Sequence, residues 1–127
     1  MGKTLIFAAA ASALAFNLVC TGTLSSTSTH GTESEFYSSV YRIDLDAKKW
    51  CEGECSIQHD FAAISPVELT LEAAGQREEL SNVIDRKTGK HTVVATSGTG
   101  PSTIVKRWKG TCKNAIFTGF PKTKPKS

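Results

Sequence analysis

The sequence predicts an all-β fold: a small antiparallel meander or half-barrel of five to six strands, stapled by disulfide. Three observations carry this expectation. Apolar residues recur with a period of two through the central chain, a glycine-containing turn signal separates two such runs, and four cysteines (Cys20, Cys51, Cys55 and Cys112) are spread over 127 residues. Strict alternation puts one face of a strand on a core and the other in water, as in an antiparallel sheet. Past the N-terminal region no stretch carries a convincing helical period, although AAGQREEL has the composition for a turn or two of helix.

The N-terminal MGKTLIFAAAASALAFNLVCTGT places Lys3 before an apolar run from Leu5 to Val19, and small and polar residues follow. That is the layout of a secretory signal peptide. The run of about 15 residues falls short of the roughly 20 that a membrane-crossing helix requires, so the mature chain is expected to lack a transmembrane span. Processing near Gly22 uses the whole run and assigns residues 1–22 to the signal. Ala13-Leu14-Ala15 offers a second site, with a much shorter apolar region ahead of it. Cys20, just after the run, is also a lipidation candidate, although Val19 is bulkier than the residue that usually precedes a lipidated cysteine. An acyl chain there would turn a soluble exported protein into an inner- or outer-membrane lipoprotein, the minor alternative to a periplasmic or secreted one.

Residues 23–35, TLSSTSTHGTESE, are rich in Ser and Thr and nearly free of apolar side chains. Such a composition buries too little surface to offset the entropy of ordering it, which predicts a flexible tether. The β-domain is then residues 36–121, small enough for a covalent staple to matter, and residues 122–127 form a basic tail.

Within the domain, FYSSVYRIDL sets Tyr37, Tyr41, Ile43 and Leu45 on one face and Ser38, Arg42 and Asp44 on the other. PVELTLEA does the same with Val67, Leu69 and Leu71, and Pro66 suits a strand's first residue, where no ladder donor is needed. In LSNVIDRKTGKHTVVATS two strand-like runs, 80–86 and 90–96, flank Lys87-Thr88-Gly89. A three-residue link ending in glycine matches a type I turn followed by a left-handed residue. STIVKRW, after the glycine-rich GTGPS, supplies a further strand.

The segment KKWCEGECSIQH, Lys48 to His59, admits three chemistries. In a disulfide clasp, Gly53 lets the short loop bend and bring Cys51 and Cys55 together. Closing that loop is worth only about 2 kcal/mol, against roughly 4 kcal/mol for a bond from either cysteine to Cys112. Nearness favours the first pairing and chain entropy the second, so both stay open. A metal site of Cys51, Cys55, His59 and Cys112 would suit zinc, but the cysteine spacing is not that of a knuckle and export favours oxidation. Redox catalysis needs a cation beside the thiol, whereas Glu52 and Glu54 are acidic. The clasp is the expected role, with no metal and no cofactor. Trp50 then covers one end of the core, and Phe117, Phe120 and Pro121 dock at the chain's end.

No nucleophile–base constellation or phosphate-binding loop is present in the sequence. His59 and Asp60 are neighbours, which point to opposite faces of an extended chain, and His91 at the start of a strand is expected to face solvent. Every acidic residue lies before position 106, while Lys106, Arg107, Lys109, Lys113, Lys122, Lys124 and Lys126 follow. Lys106, Arg107, Lys109 and Lys113 are therefore candidates for binding an anionic envelope surface. The tail KTKPKS has no interleaved aromatics, which disfavours nucleic-acid binding.

Taken together, YRIDL (Tyr41–Leu45), WCEGEC (Trp50–Cys55), DRKTG (Asp85–Gly89) and KGTCKNAIFTGFP (Lys109–Pro121) resemble a group of small exported proteins of Gram-negative bacteria to which no activity is attached. The resemblance covers nearly all of the expected domain. It implies export, and it implies that Cys51, Cys55 and Cys112 belong to a shared frame to which Cys20 does not. The expected function is a non-enzymatic envelope or secreted domain, binding or structural. A small hydrolase with a site around His59 and Asp60 is one alternative. A carrier of a small apolar ligand, which requires an empty apolar cavity, is the other.

Overall fold

The computed structural model describes residues 14–73 and 79–121. Among them are nine strands: β1 (Ala15–Ser28), β2 (Gly31–Asp44), β3 (Lys49–Glu52), β4 (His59–Asp60), β5 (Ala63–Ile64), β6 (Glu68–Glu72), β7 (Glu79–Asp85), β8 (Lys90–Ser97) and β9 (Ile104–Ala115). All pair antiparallel in one sheet of order β4-β3-β2-β1-β9-β8-β7-β6-β5. Each strand therefore lies beside its neighbour in sequence, β9 returns to β1, and the order is broken between β4 and β5. The fold is an all-β antiparallel half-barrel, open along one seam.

The strand count is nine rather than five to six: β1 at the N-terminus and the short strands β3, β4 and β5 are additional. Residues 23–35, expected to form a tether, are the second half of β1, a turn at Thr29-His30 and the start of β2. The hairpin is in register from Ala15–Asp44 to Ser28–Gly31. Its apolar alternation is erased because both faces carry hydroxyl side chains, yet β-branched threonine suits a pleated strand. The Thr27 and Thr32 hydroxyls meet across the hairpin at 3.1 Å. β1 also pairs with β9 from Asn17–Ala115 to Thr27–Val105, so it is a central strand. Of residues 1–22, expected as a signal, 1–13 lie outside the described residues and Ala15–Gly22 begin this strand. The basic tail at 122–127 and the helical turn expected around Ala74–Glu78 also lie outside them.

The hairpin of β7 and β8 forms as expected. Gly89 adopts φ +82°, and the Asp85 carboxylate accepts from the amides of Lys87 and Thr88 at 2.8 and 2.9 Å. The inner face holds the core: Phe16, Leu18, Tyr41, Ile43, Trp50, Leu69, Leu71 and Ile84, with Leu45, Phe61 and Ile64 packed against it. Val67, expected on that face, is instead exposed. The chain's end crosses the outer face, where Thr118 exchanges hydrogen bonds with the Asn17 side chain and Arg42 donates to the Gly119 carbonyl at 2.8 Å. Phe117 and Phe120 meet edge to face there.

Two disulfides brace the sheet. Cys51–Cys55 closes the β3 loop, and Cys20–Cys112 joins directly opposed residues of β1 and β9. The local pairing is thus the one formed, and Cys112 bonds Cys20 rather than Cys51 or Cys55. Cys20, expected as a lipidation candidate outside the shared frame, is fully buried with its sulfur bonded. The described end of the apolar run that reads as a signal core, Ala15–Val19, is here the start of β1, with Phe16, Leu18 and Cys20 pointing inward.

Candidate functional site

A lateral row crosses four strands: Tyr37 on β2 faces Gly22 on β1, Gly22 faces Gly110 on β9, and Gly110 faces His91 on β8. A Cβ on Gly22 would collide with the Lys109 carbonyl. One on Gly110 would collide with the Thr21 carbonyl and lie 2.5 Å from the Tyr37 hydroxyl. The two glycines therefore clear a trough along which Tyr37 reaches to His91, its Oη 2.8 Å from Nδ1.

The protons of this cluster can be assigned. The Asn82 carbonyl Oδ1 lies 3.0 Å from His91 Nε2 and can only accept, so Nε2 carries the hydrogen. Nδ1 then accepts from Tyr37. Asn82 Nδ2 donates to the Tyr41 hydroxyl at 3.0 Å, while Nε2 stands 3.4 Å from that oxygen. The Tyr41 oxygen thus has two hydrogen-bond neighbours, Asn82 and His91.

His91 is 1% exposed, contrary to the expectation of a solvent-facing residue, and burial lowers its pKa to about 4. The ring is the neutral tautomer at ordinary pH. It also packs on the bridge, one ligand-type atom each of Cys20, Cys112 and His91 lying within 4.8 Å of one another. Because the two sulfurs are bonded to each other, this is an imidazole against a disulfide. Burial raises the Tyr41 hydroxyl far above its ordinary pKa, and the charge of Glu52 adds to the effect.

Tyr41, Asn82 and His91 form the floor of a pocket of about 200 Å³ at one mouth of the half-barrel, walled by Leu80, Val93, Trp108, Ser39, Glu52 and Glu72. Glu52 on β3 and Glu72 on β6 lie beyond the paired ends of β4 and β5. β4 meets β3 only at Lys49 and Trp50, and β5 meets β6 only at Thr70 and Leu69, so neither short strand reaches them. Burial raises the pKa of half-buried Glu72; His59 opposes this and Glu52 reinforces it.

The residues singled out in the sequence do not meet at this pocket. His59 stacks on Trp50 with ring centroids 4.4 Å apart, while Asp60 points to the other side and pairs with Lys49 at 2.6 Å. Neither touches His91, so the residues of the expected hydrolase site do not converge. Arg107, Lys109 and Lys113 share the outer face of β9, together with Lys90 on β8, whereas Lys106 alternates to the inner face beyond Trp108. Missed in the sequence were Tyr41, Asn82 and His91 as a polar set. Their signal was present, since alternation through Leu80, Asn82, Ile84 and through His91, Val93 puts a polar residue at a core position of each strand. No family model, curated protein or solved structure matches the chain.

Proposed function

We propose that the protein is an exported binding domain that lies against an anionic envelope surface through the outer face of β1, β9 and β8. One observation carries the reading: these three adjacent strands contain no acidic residue, and their outer face presents Lys90, Arg107, Lys109 and Lys113, all exposed. The single ion pair among the described residues is Lys49–Asp60, so none of the four is neutralised by a described neighbour. Around them stand Thr21, Thr23, Ser25, Thr92 and Thr111, short side chains that leave the charges unobstructed. Export is part of the same proposal, as is membership of the exported Gram-negative group that the motifs resemble. Two disulfides using all four cysteines support it, since such bonds persist in oxidising compartments. No helix among the described residues is long and apolar enough to cross a membrane.

Each basic residue near an anionic surface contributes about 1 kcal/mol, screened by salt. Purified protein should therefore sediment with vesicles containing anionic lipid at low ionic strength and release as salt rises. Arg107→Glu with Lys109→Glu should abolish the association. Binding that ignores both salt and the charge reversal refutes the reading, as does no binding at low salt.

A further inference from the structure

The basic face has an apolar margin. Strand register carries two rows across it: Phe36 on β2, Thr23 on β1 and Lys109 on β9, then Val40, Val19 and Lys113 on the same three strands. Directly opposed residues share a face, so Phe36, Val40 and Val19 stand on the outer side with the cations. Phe36 is 74% exposed, more than any other large apolar side chain among the described residues, and Val19 is 37% exposed. Ser34 and Ser38 flank Phe36 on its own strand, while alternation turns Glu35 and Tyr37 to the other side. The apolar strip lies one or two strand spacings, roughly 5–10 Å, from the bases of β9.

Single exposed apolar residues are ordinary on a protein surface; what marks Phe36 is its setting. No acid shares the outer side of β1, or that of β2 between Thr32 and Arg42, so the strip and the bases form one continuous face. A soluble polyanion engages the bases alone and leaves Phe36 in water. A bilayer containing anionic lipid engages both. Headgroup phosphates take the cations, and apolar side chains beside them enter the boundary between headgroups and acyl chains, roughly 5–10 Å deep. Lysine and arginine suit such a rim, because their long stems keep the charge at the phosphates while the neighbouring surface sinks.

We propose that the envelope surface is a lipid bilayer into whose interface Phe36 inserts, with Val19 and Val40 beside it, while Arg107, Lys109 and Lys113 hold anionic headgroups. The inference rests on the basic face as the docking surface and adds what that face meets and which side chain enters it.

The full chain is titrated with vesicles of equal parts phosphatidylcholine and phosphatidylglycerol, and separately with dextran sulfate, a soluble polyanion. Phe36→Thr puts a β-branched strand former at an exposed position, so the sheet is retained. It should lower vesicle partitioning about tenfold, the low end for withdrawing a phenyl group from an apolar environment. The salt dependence and the dextran sulfate affinity should not change. Phe36→Trp should add an emission that shifts to the blue on vesicles and is quenched by lipids brominated on the acyl chain. That emission is read as the difference from native protein, whose own tryptophans are Trp50 and Trp108. Vesicle binding that Phe36→Thr leaves unchanged, or an unshifted Phe36→Trp emission on bound protein, overturns insertion and leaves the basic face standing. Native protein that fails to bind the vesicles at low salt overturns both readings.

Discussion

Acidification should destabilise the protein through His91, and the size of the effect follows from its surroundings. The ring is buried and its pKa stands at about 4, against 6.5 in an open chain. Between those values the unfolded chain binds a proton that the native one refuses. Stability therefore rises with pH across this window, by 1.36 kcal/mol for each unit. The contribution is complete above pH 6.5 and is lost as pH falls through about 4, about 3 kcal/mol in all, a large share of the 5–15 kcal/mol typical of a domain. Protonation also turns Nδ1 from acceptor into donor, so the Tyr37 hydroxyl must rotate. Glu72 works in the opposite sense, because its raised pKa lets the native state hold a proton more firmly. Exposed Asp85, lowered by the amides of Thr88 and Lys87, works in the same sense as His91. Urea unfolding followed by tryptophan fluorescence at pH 7, 5.5 and 4.5 gives the total slope. The same series on His91→Gln isolates the histidine, and the variant should show the flatter profile. If that variant does not fold, the imidazole ¹⁵N shifts of the native protein decide: they should report a neutral ring, protonated at Nε2, down to pH 5. A ring that titrates near 6.5, or identical slopes for the two proteins, refutes the reasoning.

Other consequences are simpler to test. Replacing Cys20 and Cys112 together by alanine opens a loop of 92 residues and should cost about 4.6 kcal/mol in the chain-entropy model, against about 2 kcal/mol for Cys51 with Cys55. Urea midpoints that rank the two pairs the other way contradict the central role of the β1–β9 bridge. Gly110→Ala forces a methyl against the Thr21 carbonyl and the Tyr37 hydroxyl. It should destabilise by about 1–3 kcal/mol or more and displace the His91 ring shifts; a neutral effect on both denies the trough.

What was legible in the sequence tracks the contrast between the two faces of each strand. Where one face is apolar and the other charged, as in Tyr37–Leu45 and Leu69–Glu72, or where a turn has a dedicated residue such as Gly89, the elements form as read. The first hairpin was hidden for two separate reasons. Ala15–Val19 passes for the end of a signal core, and Thr23–Glu35 is polar enough to pass for a tether, yet the two belong to one strand and its partner. Their order comes from pairing with β9, ninety residues away, which no local window contains. The site was hidden by the same distance. Asn82 and Tyr41 are 41 residues apart; Asn82 alone reads as an interruption of an apolar face and Tyr41 as a member of one. The clasp was legible because both cysteines sit within five residues. The partner of Cys112 was not, because Cys20 had been assigned to the leader.

That pairing bears on where an exported form of this chain would be cut. Removal of residues 1–22 would delete the inner positions Phe16, Leu18 and Cys20 from the core, strip β2 and β9 of the first half of the strand between them, and leave Cys112 without its partner. A cut after Ala13-Leu14-Ala15 keeps all three and sacrifices the pairing of Ala15 with Asp44. The apolar stretch left ahead of it, Leu5–Ala11, has seven residues, at the lower limit of a working signal core of roughly 7–15. Packing of β1 is thus compatible with export at the second site and not at the first. The N-terminus of protein recovered from the periplasm or medium should be Phe16, and its mass should fall by four hydrogens relative to the fully reduced chain. A mature terminus at Thr23, with Cys112 open to alkylation without reductant, would show that the domain folds without the first half of β1 and would undo the reading of the sheet's centre.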